Sequence, residues 1–304
     1  METRSVWLVR HGQASCGKSD YDNLSETGHE QAYLLGKHFA AHGVAPSLIV
    51  SGSMKRHRQT LAEIAAGAGW QFDDVPAEPA HLTTPARPSA DESGASATPP
   101  ASASHIEATQ DEVTRAARKA AKGKSPHPKP DEQPDDAIIA AHAPHVVSRR
   151  LDERWNELDH RAMLTAYKPA YKNMLVLKAD MVRTLRPRIA FEETFEKAVD
   201  RWSGGQYDHE YPESSEQFTS RTNEALDDLV DAAHEHVVVV TSAGPVCWTA
   251  ARLAAGGSLD AWKHFTLAAV NTGVTRITID RHGPRLLTFN EFTHLEGAGL
   301  VTNR

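Results

Sequence analysis

The sequence predicts an α/β fold on a mostly parallel sheet, and three observations carry that prediction. Residues 5–9, Ser-Val-Trp-Leu-Val, are a near-continuous apolar, β-prone run of the kind buried on both faces of a parallel sheet. The chain then alternates strand, helix, strand, helix, the order of βαβ units with right-handed crossovers. Polar motifs follow the apolar runs directly, and ligands in such sheets bind beyond the carboxyl ends of the strands.

Taken in order, residues 5–9 lead into Arg10-His11-Gly12-Gln13. A helix is expected after Ser25, a good N-cap, with Ala32, Leu35 and Phe39 at three- and four-residue spacing and Gly43 as its stop. A second apolar strand, Leu48-Ile49-Val50, runs into the segment 51–60 and a helix to about Ala66. From about 76 to 145, Pro, Ala, Ser and Asp dominate, a composition that buries too little apolar surface to fold; this reads as an insertion with one marginal helix over 111–122. Order is expected again at Val146-Val147, followed by the segment 151–160.

Further on, Phe191, Phe195, Ala198, Val199 and Trp202 share one helical face, and Ser214 or Ser215 caps a helix carrying Phe218, Leu226 and Leu229. Trp155 and Trp202 read as packing residues. The strongest β signal is Val237-Val238-Val239-Val240, ending at Thr241-Ser242-Ala243-Gly244-Pro245, and strands over 274–279 and 285–289 flank a Gly283-Pro284 turn. The expected organisation is one domain over 1–304, interrupted at about 76–145, with a helical cap over about 161–235 shaping specificity.

Composition narrows the function classes. The chain has 304 residues, 40% hydrophobic and 24% charged, as in ordinary globular proteins, and no apolar run approaches the ~20 residues that span a bilayer. The N-terminus lacks the pattern of a secretory signal, and Cys16 and Cys247 form neither a disulfide framework nor a C-x-x-C pair, so a cytoplasmic protein is expected. A net charge of −7 argues against a nucleic-acid partner, and nothing argues for a membrane partner. His38 and His42 lack the Glu of an H-E-x-x-H zinc helix and read as a solvated face; no metal or cofactor is expected. Oligomeric state is left open.

Four segments are placed to converge on one pocket: Arg10-His11-Gly12, the run from Ser51 to Arg56, Glu153-Arg154, and Thr241 to Gly244. These residues resemble the histidine phosphatase superfamily, the group that includes the cofactor-dependent phosphoglycerate mutases. The hallmark is similar to Leu8-Val9-Arg10-His11-Gly12-Gln13, and the helix entry to Leu24-Ser25-x-x-Gly28-x-x-Gln31-Ala32. The phosphate-arginine segment resembles Ser51-x-x-x-Lys55-Arg56-x-x-Gln59-Thr60, the acidic segment Leu151-Asp152-Glu153-Arg154, and the tail Asn290-Glu291-x-x-His294-Leu295. The resemblance implies a three-layer α/β/α, phosphoglycerate mutase-like fold and a small-molecule phosphate ester or other phosphorylated substrate.

It also implies roles. His11 is the expected nucleophile, since a neutral imidazole flanked by guanidinium groups is a sensible attacker on a phosphomonoester dianion. Arg10 and Arg56 are the expected phosphate clamps, Gly12 is expected to let the backbone approach the phosphate, and Glu153 matches the position of the proton donor. Gln13 and Arg154 are possible supporting residues. The bland alternatives are a buried polar pair at Arg10-His11, a solvated Arg56, and a solvated acidic turn for Glu153 beside Asp152, Glu157 and Asp159.

One departure stands out. Where most members have Ser-His-Gly after this strand, the residue matching the His is Ser242, followed by Ala243. A hydroxyl donates one hydrogen bond but brings no imidazolium charge; losing one preorganised donor costs about 10²–10³ in rate. Compensation is sought in His57, His160 or His294, or in backbone N–H groups near Ala243 and Gly244. The expected function is therefore a phosphomonoester hydrolase of reduced power; the alternatives are a phosphate-binding or scaffolding protein without turnover, and a phosphoglycerate mutase.

Overall fold

Strand β1 (Arg4–Arg10) lies inside a seven-stranded sheet in the computed structural model, which describes residues 4–15, 22–73, 145–183, 186–232 and 234–303. The other strands are β2 (Leu48–Ser51), β3 (Trp70–Asp73), β4 (His145–Leu151), β5 (His236–Thr241), β6 (Val274–Asp280) and β7 (Gly283–Glu291). Their order is β3-β4-β2-β5-β1-β6-β7, parallel from β3 to β1, with β6 and β7 antiparallel at one edge. The mostly parallel α/β sheet read from the apolar runs is the observed one.

Alternation along the central strands builds two cores. Val6 and Leu8 of β1 and Val237 and Val239 of β5 face one side, where they pack with Leu226, Leu229 and Val246. Val9, Val238 and Val240 face the other side and meet Leu35, Phe39 and Ile64. The helices supplying these contacts are α1 (Glu26–Ala41) and α2 (Lys55–Ala68) on the second face, and on the first α6 (Ser215–Asp231) and α7 (Ala243–Ala255). Three layers result.

Between β4 and α6 run α3 (His160–Tyr167), α4 (Met174–Val182) and α5 (Pro187–Ser203); α8 (Leu259–Ala268) follows α7, and α9 (Thr293–Glu296) follows β7. A third cluster, including Met163, Tyr171, Trp202, Phe218 and Trp262, ties α3, α5, α6 and α8 to the outer side of α7. Trp155 and Trp202 are both buried packing residues.

The caps follow the sequence. Ser25 Oγ accepts the Gly28 N–H at 3.1 Å, and α1 gives way to Gly43 at φ 62°, a left-handed turn suited to glycine. Ser214 and Gln217 form a reciprocal capping box on α6. β3, α3, α4, α7, α8 and α9 are elements the sequence did not individually announce. The insertion expected at about 76–145, with its helix over 111–122, lies outside the described residues except for His145, which opens β4. Among the described residues, no helix is long and apolar enough to cross a membrane.

Candidate active site

Parallel register brings the expected segments side by side. Arg10 of β1 pairs with Thr241 of β5, and the His11 N–H donates to the Thr241 carbonyl at 2.8 Å, so Arg10-His11 and Ser242 leave the sheet together. On the other side of β5, Ser51 of β2 pairs with Val240, and the chain then enters α2 with Arg56 and His57 in its first turn. β4 pairs with β2, Leu151 opposite Ser51, which puts Glu153 just past a further strand end.

His11 is buried, with Nδ1 2.7 Å from the Gly12 carbonyl oxygen. A carbonyl only accepts, so Nδ1 carries the proton and Nε2 keeps its lone pair. Burial, Arg56, Arg10 and His57 together hold the imidazole well below its ordinary pKa, leaving a neutral ring between two cations. Arg10 Nη1 donates to the Ala269 carbonyl at 2.7 Å. Arg56 is held by Asp22, whose Oδ1 lies 2.8 Å from Nη1, while its Nη2 is 3.4 Å from Ser242 Oγ.

Ser242 is the N-cap of α7, yet its side chain makes no capping bond. Its hydroxyl is 2.7 Å from His57 Nε2 instead. His57 is fully buried, and burial reinforced by Arg56 lowers its pKa to about 3. The first turn of α7 is occupied by Glu157: the Gly244 N–H donates to Glu157 Oε2 at 3.2 Å, and His160 Nε2 lies 3.6 Å from the same oxygen. Burial pushes the Glu157 carboxyl up, but His160, Arg56 and the Gly244 N–H outweigh it and hold the group well below the usual carboxylate range. Glu157 is thus a buried anion beside a phosphate-clamp candidate, where the sequence placed it only in an acidic turn beside Glu153.

The Gly12 N–H donates to Thr60 Oγ1 at 3.0 Å, and a Cβ on Gly12 would fall 2.3 Å from the Gly28 carbonyl oxygen. The bare Cα of Gly12 therefore allows close packing against α1. Gln13 is spent on the same helix entry: its N–H donates to Gln31 Oε1 at 2.9 Å and its Oε1 accepts from Ser25 Oγ at 2.8 Å. Arg154 turns to Asp152 and to Asp228 of α6, at 2.7 and 2.6 Å from Nη2. His294 Nε2 is 2.9 Å from Thr272 Oγ1, and its ring lines a cavity of about 550 Å³ with His38, His42 and His236, apart from His11. The Glu153 carboxylate is exposed and makes no hydrogen bond or ion pair among the described residues.

Fold and site together define an α/β protein with a neutral histidine and two arginines gathered at parallel strand ends. The family model of the histidine phosphatase superfamily (branch 1) matches residues 6–78 and 185–291, more than half of the chain, and the protein belongs to that superfamily. The stretch holding Glu153 and Glu157 falls between the matched segments. Similar solved structures include mycobacterial hydrolase 2 (16% identity, 99% of this chain and 96% of that one, TM-score 0.48). They also include the alpha-ribazole phosphatase of Shigella flexneri (14%, 94% and 96%, 0.47), and a mycobacterial glucosyl-3-phosphoglycerate phosphatase (16%, 94% and 98%, 0.44). No curated protein matches the sequence.

Proposed function

We propose that the protein is a phosphomonoester hydrolase that works through a phosphohistidine on His11. The observation that supports this reading most is the 2.7 Å bond from His11 Nδ1 to the Gly12 carbonyl, which orients the ring and leaves Nε2 unprotonated. Arg10 and Arg56 flank that ring and depress its charging, and in this reading they hold the phosphoryl oxygens during attack. His11 Nε2 bonds to phosphorus as the ester P–O bond breaks. The leaving oxygen takes a proton from Glu153. Water then attacks phosphorus, giving a proton back to Glu153 and releasing inorganic phosphate and neutral His11.

Substrate is a small phosphate ester, and the buried Glu157 anion disfavours a second anionic group near Arg56, which speaks against a phosphoglycerate mutase. A second reading, phosphate binding without turnover, draws on Ser242 in place of the motif histidine. Acid-labile phosphate trapped by rapid quench after incubation with phosphorus-labelled p-nitrophenyl phosphate separates the two. The hydrolase reading expects label on the wild type and none on His11→Ala; binding of inorganic phosphate with no label and no release would leave the second reading standing.

A further inference from the structure

Among the described residues the serine N-caps behave alike, apart from one. Ser25, Ser214 and Ser258 each accept a backbone N–H of the helix they open. Ser242 opens α7, the helix after the central strand, and does not. Its hydroxyl is turned across to α2, where His57 Nε2 stands 2.7 Å away and Arg56 Nη2 3.4 Å away. A stabilising cap bond is forgone, and a fully buried imidazole is set against the hydroxyl that stands in place of the motif histidine.

We propose that His57, acting through Ser242, supplies the imidazole that the Ser-His-Gly motif supplies at position 242, as a positioning residue that fixes the Arg56 guanidinium toward the phosphoryl group. The inference rests on the phosphohistidine reading above and adds a residue to it. Three features of the geometry support it. The chain His57 Nε2, Ser242 Oγ, Arg56 Nη2 is continuous. The His57 ring lies 5.8 Å from that of His11, centroid to centroid, so the second imidazole is still beside the first. Ser242 and His57 have no exposed surface, whereas Arg56 and His11 keep a small one, so the pair works through the clamp rather than on the ligand.

Gly52 makes the arrangement possible. A Cβ there would lie 2.3 Å from His57 Nδ1, so only a glycine at the end of β2 leaves room for the ring. The imidazole has in effect moved from the turn after β5 to the first turn of α2, and the hydroxyl bridges the difference. The other two histidines that could compensate are engaged elsewhere: His160 with Glu157, and His294 with Thr272.

The test compares His57→Leu, His57→Gln, and His57→Leu combined with Ser242→His. Turnover and KM are measured with p-nitrophenyl phosphate, inhibition with inorganic phosphate, and melting temperature on every variant. His57→Leu is expected to lower kcat about tenfold to a hundredfold, less than the roughly 10²–10³ of a direct donor. His57→Gln, whose amide still reaches Ser242 Oγ, is expected to recover most of that loss, and so is the double variant, which returns an imidazole to position 242. A general loss of packing would move Leu and Gln alike and would not be repaired by the second change. Wild-type kinetics in His57→Leu, or equal impairment of all three variants, overturns the inference while phosphohistidine formation leaves the hydrolase reading standing. A wild-type protein that neither forms phosphohistidine nor binds inorganic phosphate overturns both.

Discussion

Glu157 and Gly244 are fitted to each other: the carboxylate sits on the first turn of α7, and a Cβ at position 244 would fall 2.1 Å from Glu157 Oε1. A buried carboxylate on a helix N-terminus is favoured by the exposed N–H groups and the helix dipole. Gly244→Ala is therefore expected to destabilise the protein by about 1–3 kcal/mol in urea unfolding, the usual cost of overpacking a filled site. Glu157→Ala removes the obstacle, so in the double variant the two losses should fall short of adding by more than about 0.5 kcal/mol. Simple additivity would show that the two residues do not meet.

Acid should weaken the fold before its carboxylates titrate. Burial, with Arg56 beside it, lowers His57 from 6.5 to about 3, burial and His38 lower His294 to about 4, and burial with Arg276 lowers His236 to about 4. His11 shifts the same way. A histidine kept neutral in the native state contributes stability that is complete above 6.5 and is lost as pH falls toward the folded value, because the unfolded chain takes up the proton first. Each group contributes a slope of up to about 1.4 kcal/mol per pH unit in that window. Glu157 acts lower: its depressed carboxyl adds stability present above 4.5 and lost beneath it. Urea unfolding at pH 7.5, 6.5 and 5.5 should show a flat upper range and a steep fall, and His294→Asn should make the fall shallower. Equal stability at all three values would contradict the burial of these rings.

Cys247 gives a separate check on the core. Its thiol is buried in α7, and burial pushes its pKa up to about 12. In a Cys16→Ser background, native protein should leave a thiol reagent unconsumed over minutes at pH 8, and urea should release one reactive group. Fast native reaction would mean that α7 opens readily.

The sheet was legible because its central strands β1, β2 and β5 are apolar on both faces and each ends in a polar motif; Val6 through Val9 and Val237 through Val240 allow little else. Helices with a local stop or start, such as α1 between Ser25 and Gly43, were legible for the same reason. α7 was not, since Ala243-Gly244-Pro245 has the residues of a turn, and its glycine answers to Glu157 far away in sequence. β3 is a short edge strand, and α3 and α4 depend on packing around Trp202 and Tyr171, which no local pattern announces. In the site, His11, Arg10 and Arg56 could be read from motif and position. The tie from Ser242 to His57 crosses from α7 to α2, and the close approach of Gly12 to Gly28 crosses from the end of β1 to α1, so both appear only when the helices are placed.

The proton donor is the assignment most open to a direct test. Glu153 stands exposed past β4, while Glu157 is buried against the first turn of α7 and holds its charge through His160, Arg56 and Gly244. A general acid matters in proportion to the basicity of the leaving oxygen. An alkoxide needs the proton, whereas p-nitrophenolate departs without one. Glu153→Gln is therefore expected to lower turnover of glycerol 2-phosphate by about 10²–10⁴ while p-nitrophenyl phosphate loses less than about tenfold. Glu157→Gln should lower both substrates together and lower the urea midpoint as well, since it loosens a buried anion from its helix. If the dependence on leaving group follows position 157 instead, the acid lies on the α7 side of the pocket and Glu153 is a solvated turn residue.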